Sequence, residues 1–249
     1  AAPALHRAVA MKQVIDLTWG LFEGMPNHPA HPVAPKLLSG TMTHKGTAIW
    51  MAKSTAYGQV SFASEQFLLA AHLGTHLDAP YHANPDGPTV EGVDLSYTCG
   101  DACWLDVSAA FGPRALVTPE HLERALEAAG AELAPITLLF TGWSRTRDEP
   151  RRYFRDSMGL SEAAAVWLRE RGVLTVGIDA PSVDPGGSAE CPAHMNFFRP
   201  RPGERYICVV ENLVRVETIP RPAFYFVGAP LPLKGVSGSP IRALALVDA

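Results

Sequence analysis

The sequence predicts a single α/β domain, a strand-rich mixed sheet flanked by a few helices. Two largely apolar runs, Ile136–Phe140 and residues 173–178, read as buried strands with a helix-patterned stretch between them. The other periodic segments are short and are separated by many of the 22 prolines and 21 glycines, as in a sheet-rich chain. With 249 residues, 47% of them apolar, the chain can bury one sizeable core. No repeat or low-complexity linker divides it, so residues 1–249 are read as one domain.

In chain order, residues 13–18 form the first expected strand. The proline-rich stretch 24–32 is neither helix nor central strand. Residues 41–69 alternate apolar and polar positions without a helical stripe, which predicts strands and loops, and they carry Trp50, Tyr57, Phe62 and Phe67. Residues 103–107 are a further strand. A helix starts at Thr118 as N-cap with Pro119 at its first position; Leu122, Ala125, Leu126 and Ala129 make its apolar stripe and Gly130 stops it. A second helix runs from Ser161 through Trp167 and Leu168 to Gly172, and the order strand, helix, strand around it predicts a crossover unit. Residues 206–210, 224–228 and 241–247 complete the expected strands.

Composition also excludes some partners. The net charge is −4, and the basic clusters, Arg145 with Arg147, Arg151 and Arg152, and Arg199 with Arg201, are short and interrupted, which argues against nucleic acid binding. No run approaches the length of a membrane span, and residues 1–10 lack the apolar core of a secretory signal, so a cytoplasmic protein is expected. Cys99, Cys103, Cys191 and Cys208 make no C-x-x-C pair and are read as reduced thiols.

The chemistry concentrates in His72-Leu-Gly-Thr-His76-Leu-Asp78-Ala-Pro-Tyr-His82. Imidazole and carboxylate ligands suit zinc, manganese or ferrous iron, and a catalytic metal needs about three protein ligands with a position left for water. His72, His76 and Asp78 can supply that set. In an extended segment residues 72, 76, 78 and 82 share a face, and Gly74 and Pro80 allow the bends that would converge them. Glu211 stands inside an apolar strand, where a carboxylate is costly unless paired or metal-bound, so it is a ligand or half of a salt bridge. His28 and His31 are read as exposed loop residues, and His44 and His121 as bystanders.

The pattern H-x-G-T-H-x-D-x-P-x-H resembles the signature of the metal-dependent hydrolases called the cyclase family, which includes bacterial kynurenine formamidase and isatin hydrolase. The likeness extends along the chain through Ile15-Asp-Leu-Thr18, Gly24-Met-Pro26, Thr141-Gly-Trp143, Gly177-Ile-Asp-Ala-Pro-Ser-Val-Asp184, Pro230-Leu-Pro-Leu and Gly238-Ser-Pro-Ile-Arg-Ala243. It implies a swivelling β/β/α fold and a metal, Zn2+ or alternatively Mn2+, on His72, His76 and Asp78. In the formamidases it implies a second zinc on His82, His194 and Glu211, with Asp78 bridging. The segment containing Arg199 to Arg205 is longer than the resemblance implies.

A metal-activated water attacking an amide carbonyl is the implied chemistry, with an aryl formamide such as N-formylkynurenine as the expected substrate. With one metal, His82 is free to act as general acid and base; with two, it is a ligand. Trp50, Phe62, Tyr81, Trp143 and Phe197, with Phe198 beside it, are the expected walls for a planar substrate. The alternatives are opening of a cyclic amide such as isatin, a cyclase or dehydratase using the same metal as Lewis acid, and a non-catalytic metal-binding protein. The family implies a homodimer or homotetramer.

Overall fold

The computed structural model describes residues 12–22, 24–28, 36–39 and 65–248. In chain order its strands are β1 (Lys12–Asp16), β2 (Lys36–Ser39), β3 (Glu65–Leu68), β4 (His76–Asp78), β5 (Cys99–Asp106), β6 (Leu116–Val117), β7 (Ile136–Phe140), β8 (Gly159–Leu160), β9 (Thr175–Ile178), β10 (Cys208–Glu211), β11 (Ala223–Val227), β12 (Gly238–Pro240) and β13 (Leu244–Asp248). The helices are α1 (Pro119–Ala129), α2 (Pro150–Arg155), α3 (Glu162–Glu170) and α4 (Pro192–Phe198).

The apolar runs lie where a strand is covered on both faces. β5, β7, β9 and β10 are neighbours in parallel, and antiparallel strands extend them on either side into the order β1-β13-β11-β5-β7-β9-β10-β4-β12 among the described residues. Alternation then sorts side chains between two cores. Leu105, Leu139, Val176 and Val209 pack beneath Leu122 of α1, Leu168 of α3 and Phe197 of α4. Leu77, Leu138 and Val210 turn the other way, against Phe226, Ala243 and Ala245.

The sheet must curl. β12 is at one edge and β13 lies next to the other, yet only residues 241–243 separate them. Three intervening residues leave four Cα–Cα steps, a reach of about 14 Å at most, so the two edges approach one another; the Leu17 amide also donates to the Ala243 carbonyl at 2.8 Å. Of the strand expected at 241–247, residues 244–247 belong to β13, and residues 241–243 are the link that brings the chain over from β12.

Both expected helices are present. Gly130 ends α1 at φ +58°, and the imidazole of His121 accepts from the Thr118 amide at 3.1 Å, capping the first turn. The Ser161 hydroxyl accepts from the Ala164 amide and starts α3. The short helices α2 and α4 were not expected; each begins with a proline, Pro150 or Pro192, at its first position. Trp50 and Phe62 lie outside the described residues.

Candidate metal centre

Three neighbouring backbones create the cluster. β4 is sandwiched between β10 and β12, with Glu211 directly across from His76 and Gly238 across from Asp78. Because side chains alternate, His76, Asp78 and Glu211 share one face while Leu77 and Val210 enter the core behind it. The turn before β4 needs a left-handed residue: Gly74 has φ +60°, and a Cβ there would stand 2.5 Å from Leu21 Cδ2. At Gly238 a Cβ would fall 2.7 Å from His72 Cε1, so the missing side chain is what lets the His72 ring lie over β12.

Asp78 is the hub. Its Oδ1 is 2.5 Å from His72 Nδ1 and 3.2 Å from His76 Nε2, and its Oδ2 is 3.5 Å from His194 Nε2. Glu211 lies 3.5 Å from both His76 Nε2 and His194 Nε2, and its Oε1 also accepts from the Val183 amide at 3.0 Å. Among the described residues, the ionic neighbours of this buried carboxylate are the two imidazoles, not a lysine or arginine. The rings of His72 and His82 are 4.1 Å apart, and His82 is 5.7 Å from His194.

The outward nitrogens are fixed from behind. His76 Nδ1 lies 2.8 Å from the Gly74 carbonyl and His194 Nδ1 lies 2.6 Å from Asp184 Oδ2. Both partners can only accept, so the proton sits on Nδ1 and Nε2 is the atom presented to the cluster. Asp184 also accepts from the Ala193 and His194 amides at 2.8 and 3.2 Å, tying the first turn of α4 to the loop after β9.

His76 Nε2, Asp78 Oδ2 and His194 Nε2 are buried without a hydrogen-bond partner. Orphaned buried polar atoms are rare, and here three of them converge. Burial raises the Asp78 pKa, but the four surrounding imidazoles outweigh it and hold the carboxyl well below the usual range. Burial and the charge of Asp78 push Glu211 up. His76 is raised to about 9 although burial opposes the charge, because Asp78 and Glu211 favour it. Loss of solvation and three neighbouring imidazoles hold His82 near 4, although part of the residue reaches solvent. Such a set shares protons that a divalent cation can replace. Its ligand atoms form two overlapping groups, His72 with Asp78 and His82, and His76 with Asp78 and Glu211. The resemblance instead implies that His72 and His76 share a metal.

The cluster opens into a cavity of about 380 Å³ whose walls include Trp19, His28, Phe154, Ser157, Cys191 and Met195. Four expected substrate contacts are corrected. Trp143 and Phe197 are fully buried in the core, and the Trp143 indole donates to the Tyr153 carbonyl at 3.0 Å. Three residues per helical turn of about 3.6 places Phe197 some 60° around α4 from His194; Phe198 packs 5.4 Å from that ring but is likewise fully buried in the core and does not line the cavity. Tyr81 is exposed and is not among the cavity-lining residues; on the tight turn Pro80–His82 neighbouring side chains diverge, and His82 takes the wall. His28 is exposed, as expected, and it also lines the cavity, with its ring edge-on to Phe154 at 5.8 Å.

The long segment after α4 is an exposed loop, and His194 and Glu211 meet despite it. Asp179, in the loop after β9, accepts from Thr141 and Gly142 amides and from the Thr141 and Ser144 hydroxyls, which gives Thr141-Gly-Trp143 a structural role. No helix among the described residues is long and apolar enough to cross a membrane.

The family model described as putative cyclase matches residues 15–185, which include His72, His76, Asp78, His82 and Asp184. The chain is 33% identical over 176 residues, 71% of each protein, to a kynurenine formamidase of Polaromonas naphthalenivorans (strain CJ2). It resembles the solved structure of isatin hydrolase A from Ralstonia solanacearum with a TM-score of 0.73 at 25% identity, covering 95% of this chain and 92% of that one. A structure described as a novel cyclase aligns with a TM-score of 0.80 at 18% identity, covering 96% of this chain and 90% of its own. The chain belongs to the cyclase family.

Proposed function

We propose that this protein is a metal-dependent hydrolase that cleaves an amide-type C–N bond, with an aryl formamide such as N-formylkynurenine as its substrate. The convergence of His76 Nε2, Asp78 Oδ2 and His194 Nε2, buried and unpartnered at the wall of an open cavity, supports this most directly. His72, His76, Asp78, His82, His194 and Glu211 would hold one or two ions, Zn2+ first and Mn2+ as the alternative, with Asp78 common to both groups. Such an ion supplies Lewis acidity that makes water nucleophilic near neutral pH and favours charge on the amide oxygen.

The chain's own residues do the rest. Gly74 and Asp184 hold the His76 and His194 rings so that Nε2 faces the centre. His82, with its pKa near 4, is neutral at physiological pH. With one ion, a nitrogen of its ring takes a proton from water and returns it to the departing amide nitrogen; with two, His82 is a ligand. Trp19, Phe154 and Met195 offer an apolar wall to a planar group and keep water from it. The formamidase relative supports the formamide, and the Ralstonia neighbour supports a second reading, opening of a cyclic amide such as isatin. A homodimer or homotetramer fits the low charged fraction of 18%.

The test is metal analysis of purified protein with a panel of N-formylkynurenine, formanilide and isatin, with and without chelator. Metal near one or two per chain and chelator-sensitive turnover of a formamide are expected, and His76→Ala should lose both. Metal-free protein, or turnover indifferent to chelator, overturns the assignment.

A further inference from the structure

Ser157 lies in the turn between α2 and β8, outside the ligand cluster. It is 1% exposed and lines the same cavity, and its hydroxyl has no hydrogen-bond partner. The backbone that carries it is fixed. Its carbonyl accepts from the Gly186 amide at 2.7 Å, and a Cβ on Gly186 would stand 2.9 Å from Ser157 N and 2.5 Å from Arg155 O. Gly186 is two residues past Asp184, which holds His194, so the hydroxyl is positioned relative to the centre through a short, tightly packed loop.

The surroundings indicate what the hydroxyl meets. Phe154 lies three residues earlier on the same wall, and the His28 ring stands edge-on to it. An aromatic surface beside one unpaired hydroxyl suits an aryl group bearing one polar substituent. A hydroxyl pairs with either a donor or an acceptor. An amino substituent, however, brings two N–H donors of which Ser157 can satisfy one, whereas a carbonyl leaves no buried N–H behind.

On the basis of the amide-hydrolase function above, we propose that Ser157 Oγ donates a hydrogen bond to a carbonyl oxygen carried by the substrate's aryl group, away from the bond that is cleaved. Ser157 thereby favours acyl-substituted aryl amides over unsubstituted ones. It is a specificity residue and takes no part in the proton transfers.

Two measurements test this with wild-type protein, Ser157→Ala and Ser157→Cys. The first is the ratio of kcat/KM for 2-acetylformanilide over formanilide. A neutral hydrogen bond predicts that Ser157→Ala lowers this ratio by about threefold to tenfold, with Ser157→Cys between, because a thiol is a weaker donor. The second is the ratio of calorimetric affinities for 2-aminoacetophenone and aniline, the amines these formamides release, which should shift the same way. Melting temperatures monitor folding; removing an unpaired buried hydroxyl should leave them equal or higher. An unchanged kcat/KM ratio in a protein that hydrolyses both formamides overturns the role of Ser157 and leaves the hydrolase function standing. If wild-type protein hydrolyses neither, the formamide reading of the function fails. The calorimetric ratio then decides the role of Ser157 by itself, a shift supporting it and no shift overturning it.

Discussion

Replacing Asp184 by asparagine weakens the support of His194 with almost no change of shape. In the native chain one carboxylate oxygen accepts from the Ala193 amide at 2.8 Å, and the other accepts from His194 N at 3.2 Å and His194 Nδ1 at 2.6 Å. Asparagine has one acceptor oxygen and an NH2 group. With the oxygen toward Ala193, the NH2 faces two donors, and the ring escapes the conflict by moving its proton to Nε2, the atom that faces Asp78 and Glu211. With the amide flipped, the conflict falls on the Ala193 amide and α4 loses its tie. Hydrogen bonds to charged groups contribute about 1.5–3 kcal/mol each; two are lost in the first orientation and one in the second, so the chain takes the second at a cost of about 1.5–3 kcal/mol. At this chain length that lowers Tm by roughly 3 °C per kcal/mol. The affinity for metal should fall about 10- to 100-fold, as for other groups that orient a ligand histidine. Competition against a chromophoric chelator measures the affinity and calorimetry the Tm. A variant with wild-type metal affinity and a Tm within about a degree would refute the positioning role of Asp184.

Glu211→Gln should lower the metal content per chain by elemental analysis; unchanged content removes Glu211 from the ligand set. Gly238→Ala forces a Cβ against His72 Cε1 and the Leu77 carbonyl, both 2.7 Å away. It should cost about 1–3 kcal/mol and weaken metal binding, both read by melting with and without added Zn2+. Phe197→Ala should cost about 3–5 kcal/mol through the core cavity it leaves, while the KM of the folded fraction stays within about twofold; a large rise in KM would return Phe197 to the substrate wall.

The parts of the fold legible in the sequence were those with local signals. Pro119 and Gly130 bracket α1, Ser161 starts α3, and the largely apolar runs of β7 and β9 mark strands covered on both faces. The ligand-rich run 72–82 was legible because the residue types are rarely neighbours by accident, and Glu211 because a carboxylate in an apolar strand needs a reason. The cavity wall was not. Trp19, His28, Phe154 and Ser157 come from separate segments, and nothing local marks them as neighbours. Aromatic residues near the motif in sequence were misleading for the same reason: Trp143 and Phe197 belong to the core because of the rotation of the elements that carry them. For α4, Pro192 was an available start signal, but one so short gave no periodicity to read.

The pairing of β4 with β10 has a consequence for how the chain folds correctly. Leu77 sits between His76 and Asp78, so one strand alignment decides both which side chains join the ligand cluster and which enter the core. A slip by one residue would insert two ionisable side chains into the apolar layer and present a leucine to Glu211. Misalignment is thus penalised on both faces, and the strand proofreads its own placement. The chemistry of this protein and its solidity are two sides of three residues, and a lesion that disturbs one is felt by the other.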